Sequence, residues 1–255
     1  MFESNATVFD LSRLDRERYL CALSAPHSKR GGLMALIAFN IELSAIAKTV
    51  SEPMLGKIKL QWWIDVVPGI LAGRPPSHPV AQGLAQVRDV LQGRLSELRG
   101  LSEARNFDLE PDRPNSLLEL TAYSQATGGV LQGLMVDVLG VEDEAARRAA
   151  IDVGTAWALI GLMRALPFQN GQRRDMLPQG TKIRDVLTQA GSLLQNARSC
   201  SPTKAALPAL VIARLADRHL KRLERQGWNP AAREEPPAGV GAVASIWLGK
   251  LTGRF

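Results

Sequence analysis

RGGLMALIAFNIELSAIAKTVSEPMLGKIKLQWWIDVV, residues 30–67, decides the fold. In its first half Leu33, Leu36, Ile37, Asn40, Leu43, Ser44 and Ala47 recur at helical spacing, so one stripe faces a core. Only Asn40 and Ser44 are polar on that stripe, which points to a cavity edge or to a hydrogen bond between helices. Ser51-Glu52-Pro53 breaks the pattern, and a second helix follows with Trp62-Trp63 flanked by Lys57, Lys59 and Asp65. Glu42 sits about 200° around the first helix from Asn40, so the two share no narrow face. Glu42 and Asp65 are the carboxylates of the pair that chemistry would need; a salt bridge or interhelical hydrogen bond is the plainer use. Adjacent tryptophans point to different faces, one to the core and the other to a partner or a lipid interface.

Outward from this pair the chain reads as helices throughout. A first helix spans 12–24 and ends at Ala25-Pro26; the central pair covers 31–50 and 53–71; Gly73-Arg74-Pro75-Pro76 is a break. A fourth helix is expected over 79–98, with Val80, Leu84, Val87 and Leu91 on one face, and 106–114 reads as a polar loop. The next helix, 116–139, holds Tyr123, Ala126, Thr127, Gly128, Gly129 and Gly133, and Gly140 ends it. Mid-helix glycines each cost about 1 kcal/mol relative to Ala and are tolerated where a backbone or ligand comes close. In the helix of 142–167, Gly154, Ala158, Gly161 and Ala165 form a smooth stripe, either a tight packing face or a groove for a long apolar ligand. A basic loop, GQRRDMLPQG, follows Pro167; helices over 182–198 and 202–226, a Pro-rich linker and a last helix from Val240 complete the series. The expectation is an all-α single domain over 1–255, with 229–239 as linker.

With 255 residues the chain can bury a full core, and Ala and Leu dominate the apolar set, which favours helix over strand. The net charge of +6 is spread along the chain, and no Lys/Arg cluster interleaved with aromatics marks a nucleic-acid face. Cys21 and Cys200 are isolated thiols, and His27, His78 and His219 have no metal-ligand spacing. The N-terminal MFESNATVFD has neither a basic region nor an apolar run, and no apolar run approaches the ~18 residues of a membrane span. A soluble chain, or one held at a membrane surface, is therefore expected. Val240, Val243, Trp247, Leu248 and Leu251, with Lys250 and Arg254, suit docking on the body or a membrane contact.

Several stretches resemble the squalene/phytoene synthase family: Arg30 to Phe39, Val50 to Trp63, His78-Pro79-Val80, Tyr123 to Gly133 and Gly154 to Pro178. Within it, AFNIELSAI, VSEPMLGKIKLQWW, LMRALPFQNGQRRDMLP and NARS are similar to the branch that contains the mitochondrial complex I assembly factor. The resemblance implies an all-helical isoprenoid-synthase bundle around a central cavity. It also implies two aspartate-rich motifs holding Mg²⁺ ions against prenyl diphosphates, because hard cations and diphosphate charge call for carboxylate oxygens. Carried over from Phe39, the first motif falls on Ser44, Ala45 and Lys48; carried over from Arg164, the second falls on Ala165 and Gln169, with Pro167 between them. None is a carboxylate, so no cofactor is expected. Basic positions of the family match Arg30, Arg164 and Arg174, and Met176 stands where a tyrosine is expected.

The cavity and anion-binding candidates are thus Arg30, Asn40, Ser44, Lys48, Tyr123, Arg164 and Arg174; Glu42, Trp62 and Trp63 are structural or partner-facing. The resemblance implies a non-catalytic accessory factor for a respiratory membrane complex of the complex I type, acting through a protein partner. The alternatives are a prenyl-diphosphate transferase with displaced metal ligands, or a binder of a prenyl lipid. The expected location is bacterial cytoplasm or the inner-membrane surface, or the mitochondrial matrix for a processed form.

Overall fold

A computed structural model describes residues 11–168, 175–229, 231 and 239–255, and among them there is no strand. The described residues form an all-α fold. Its contacts form two compact units, one running to Glu110 and including Leu134–Glu142, the other comprising Pro111–Gly133 and Asp143–Phe255.

The first unit is built around the central helix. α1 (Arg16–Leu23) is capped by Asp15, whose carboxylate accepts from the Arg18 amide at 3.2 Å. α2 (His27–Thr49) begins a turn earlier than the glycine pair suggests and buries Leu33, Leu36, Ile37, Phe39 and Leu43 completely or nearly so. It is long and apolar enough to cross a membrane, contrary to the sequence expectation, but most of it is buried inside the protein, as in a core helix. A Cβ on Gly32 would meet Val87 Cγ1 at 2.6 Å and Val138 Cγ1 at 2.8 Å, so two neighbouring segments press directly on its backbone. α3 (Pro53–Leu71) starts on Pro53, where a missing N–H costs nothing, and buries Leu60, Trp63, Ile64 and Val67.

The single fourth helix expected over 79–98 is instead a series: α4 (Pro79–Ala85), α5 (Arg88–Leu91), a short 3-10 turn and α6 (Leu95–Ala104). No Pro or Gly signals the break at Gln86-Val87; Val87 is drawn onto α2 beside Gly32. Arg105–Leu109 forms a 3-10 turn that takes in the start of the stretch read as loop over 106–114.

The second unit is built on glycines. α7 (Leu117–Ser124) is capped by the Ser116 hydroxyl, which accepts from the Glu119 amide at 3.1 Å. A π turn, Gln125–Gly129, separates it from α8 (Val130–Leu139), so the helix expected over 116–139 is interrupted. From Leu134 on, this stretch belongs to the first unit, and Gly140 ends it at φ +78, the left-handed conformation that carries no Cβ penalty for glycine. α9 (Glu144–Ala165) buries Ala149, Ala150, Val153, Ala156, Leu159, Ile160 and Met163. It packs against α10 (Ile183–Ser199), α11 (Leu207–Leu210) and α12 (Ile212–Arg225). α13 (Val240–Thr252) lies on α12.

Candidate functional site

In the first unit, Arg30, Asn40 and Ser44, read as cavity-lining, hydrogen-bond to the protein itself, and Lys48 is exposed. Asn40 is 9% exposed, and its Oδ1 accepts from Arg105 Nη2 at 3.0 Å. Arg105 in turn bridges Asp108 at 3.2 Å. One turn on, the Ser44 hydroxyl donates to its own helix, to Ile41 O at 3.0 Å. Lys48 is exposed in the last turn of α2, where the helix dipole favours a cation. Arg30 Nε donates back to Ala25 O at 3.0 Å, tying the start of α2 to the preceding turn.

Beside them lies an aromatic cluster. Trp63 is 2% exposed and meets Phe39 edge-on at 5.0 Å, whereas its neighbour Trp62 is 39% exposed. His78 sits 5.1 Å from the Trp63 ring and 5.6 Å from that of Trp62. Its Nε2 is 3.8 Å from Glu42 Oε1, an ion pair whenever the imidazole is protonated. Asp65 accepts from Gln61 Nε2 at 2.8 Å on the surface of α3.

In the second unit Tyr123 is buried, and its carbonyl accepts from the Thr127 hydroxyl at 2.8 Å within the π turn. Arg164 lies with its Cζ 6.0 Å from the Trp157 ring centre. Trp157 is 5.6 Å from the His219 ring, and His219 Nδ1 is 3.1 Å from Arg222 Nη2. Arg174 and Gln169 lie outside the described residues.

The smooth stripe of α9 divides in two. A Cβ on Gly128 would meet Gly154 O at 2.5 Å and Ala158 Cβ at 2.8 Å, and one on Gly129 would meet Thr155 Oγ1 at 2.6 Å. Those glycines let two backbones touch. At Gly161 a Cβ meets nothing within 4 Å, so of the two alternatives for the stripe, tight packing holds only at the Gly154 end.

The residues present do not fit magnesium. The first motif offers a hydroxyl committed to a carbonyl, a methyl group and an ammonium; of the second, Ala165 is a methyl group. Among the described residues no group of three or more His, Cys, Asp or Glu side chains gathers to hold a metal ion.

Sequence reasoning missed four participants. Arg105 lies 65 residues from Asn40, just before the stretch read as loop, and no local signal links them. His78 was visible in the His78-Pro79-Val80 stretch, but nothing local links it to Glu42 or to the tryptophans. Trp157 and His219 carry no motif; only their spacing on buried helix faces marks them.

The chain matches the squalene/phytoene synthase family over residues 11–182. It is 31% identical to "NADH dehydrogenase (ubiquinone) complex I, assembly factor 6" of Bos taurus over 242 residues, covering 84% of this chain and 72% of that protein. The Homo sapiens protein of that name is also 31% identical, over 241 residues with the same coverage. The homolog of Drosophila melanogaster is 29% identical over 85% of this chain and 65% of its own length. In structure, the chain is similar to squalene synthase HpnC from Alicyclobacillus acidocaldarius, with a TM-score of 0.71 and 16% identity over 88% of this chain and 95% of that one. A dehydrosqualene synthase in complex with ligand gives a TM-score of 0.77 and 14% identity over 98% and 95%. At these identities the two structures bear on fold alone.

Proposed function

The chain belongs to the squalene/phytoene synthase family, and from that membership we propose that it acts as an assembly factor for a respiratory NADH dehydrogenase complex and not as a condensing enzyme. One observation carries this reading: the family's fold is kept while none of its metal-binding positions holds a carboxylate. Ser44 is turned onto Ile41 O, Ala45 and Ala165 have no donor, and Lys48 repels a cation. The similarity to the assembly factors, over 84% of the chain, supports the remainder. The partner in this reading is a subunit or a fellow assembly factor of that complex. The place of action is the cytoplasmic side of a bacterial inner membrane, or the matrix for a mitochondrial form.

A second reading, a binder of a prenyl lipid, draws on the open space at Gly161, where the small-residue stripe leaves its packed neighbour. It is compatible with the first, since a retained cavity needs no metal.

The test has two arms. A tagged chain, expressed in its own cells and captured in mild detergent, is expected to enrich known NADH dehydrogenase subunits over a tag-only control. The same purified chain, given Mg²⁺ and farnesyl or geranylgeranyl diphosphate, is expected to form no condensed product above a no-protein blank. Failure of the first arm removes the assembly role; turnover in the second restores the enzyme.

A further inference from the structure

We propose that the outer face of α13 seats the protein on an anionic bilayer surface. Val240, Trp247, Leu248 and Leu251 are 87%, 48%, 51% and 81% exposed. At spacings of seven, eight and eleven residues from Val240 they fall on one side of the helix. On the opposite side Ala242, Ile246 and Gly249 are buried. That side is fixed to α12. Arg214 Nε donates to Ser245 O at 2.8 Å, and Arg218 donates to Gly241 O. A Cβ on Gly249 would meet Arg214 Cδ at 2.7 Å and Val211 Cγ2 at 2.9 Å, so the backbone itself is pressed onto its support.

An ordinary surface helix turns its large apolar side chains inward. Here Ile246 docks between Ala242 and Gly249, while Val240, Trp247, Leu248 and Leu251 are presented outward as an apolar band. Cations border the band. Lys250 Nζ lies 5.0 Å from the Trp247 ring centre, Arg254 is exposed one turn further on, and Lys204 reaches alongside Gly253. Residues 240–255 include no Asp or Glu.

The charge selects an anionic partner. The apolar band selects one that takes up Trp, Leu and Val side chains without a matching shape. A bilayer with anionic headgroups meets both demands, with the tryptophan at the headgroup level and the cations among the phosphates. Thirteen residues of helix measure about 20 Å. That is short of the roughly 30 Å hydrocarbon core, so α13 lies on the surface and does not cross it.

The inference is independent of the assembly role and is tested on the purified full chain by vesicle flotation. Vesicles of phosphatidylcholine alone are compared with equal parts phosphatidylcholine and phosphatidylglycerol. The wild-type chain is expected to float with the anionic vesicles and to stay behind with the neutral ones. Lys250→Glu with Arg254→Glu should weaken partitioning by roughly 25-fold or more, from about fivefold per cation near a charged surface. Leu248→Ser with Leu251→Ser should weaken it by roughly tenfold or more, through lost apolar burial. Both pairs are judged only alongside circular dichroism melts matching the wild type; if either pair fails to fold, Trp247→Ser is measured in its place. Equal flotation on both vesicle types overturns the proposal, as does no flotation of the wild type or flotation of folded variants at the wild-type level. Elution as a dimer that Leu251→Ser dissolves would also overturn it, since the face would then join two copies. Subunit capture without flotation would leave the assembly role in place and remove this inference alone.

Discussion

Asn40 interrupts an apolar stripe, and its amide oxygen meets the guanidinium of Arg105, itself paired with Asp108. A hydrogen bond to a charged group contributes about 1.5–3 kcal/mol. Asn40→Ala is therefore expected to lower stability by an amount of that order in urea unfolding, while Asn40→Asp, which keeps an acceptor for Arg105, should lose much less. Equal loss in both variants would mean that the contact with Arg105 contributes nothing. The two thiols differ in a similar residue-level way. Burial pushes the Cys21 thiol far above its ordinary range, with Asp15 and Glu17 adding to the shift and Arg18 opposing it. Cys200 is half exposed, with its sulfur 3.4 Å from Asn196 O. Only thiolate reacts with alkylating agents. A native sample should thus label at Cys200 alone, and Cys21 should label only after unfolding; native labelling at Cys21 would show that it is not enclosed.

At the scale of elements, the helix pair at 30–67 was legible because periodicity and a proline break agree with the packing. What was not legible arises from contacts distant in sequence. The break after α4 follows from Val87 lying against Gly32, and the π turn follows from Gly128 and Gly129 lying against α9. Neither leaves a mark on local spacing. The stripe of α9 was visible as a pattern, but its two ends have different surroundings. Gly154→Ala is expected to destabilise by roughly 1–3 kcal/mol, because the methyl group would meet the Gly128 backbone. Gly161→Ala has open space and should stabilise by up to about 1 kcal/mol through helix propensity. Thermal melts of the two variants shifting in the same direction would refute this division.

Asp143 joins two elements. Its carboxylate accepts from the Thr203 amide at 3.1 Å and from the Ala145 amide at 2.9 Å at the start of α9. These bonds, that to Thr203 foremost, hold its pKa below the ordinary carboxylate value. The folded chain therefore keeps the group ionised to lower pH than the unfolded chain does. Its contribution is complete above about pH 4 and fades as pH falls through the lowered native value. Asp143→Ala should flatten the acid side of a stability-against-pH curve, and an unchanged acid limb would exclude Asp143 as a contributor.

For the whole molecule, the family fold is kept, and the positions onto which the family's metal-binding motifs fall hold no carboxylate. The fold was readable because family resemblance, composition and helical spacing all pointed one way. At the site the absence of carboxylates was readable, whereas the contact of Asn40 with Arg105, 65 residues away, left no local signal. The most direct measurement is the amount of assembled NADH dehydrogenase complex, on native gels, in cells lacking this chain. The account predicts a depleted complex that is restored equally by the native chain and by a chain carrying Ser44→Ala and Lys48→Ala, since neither position supports chemistry. An undiminished complex in the deletion, or rescue lost with that double substitution while the protein remains folded, would contradict it.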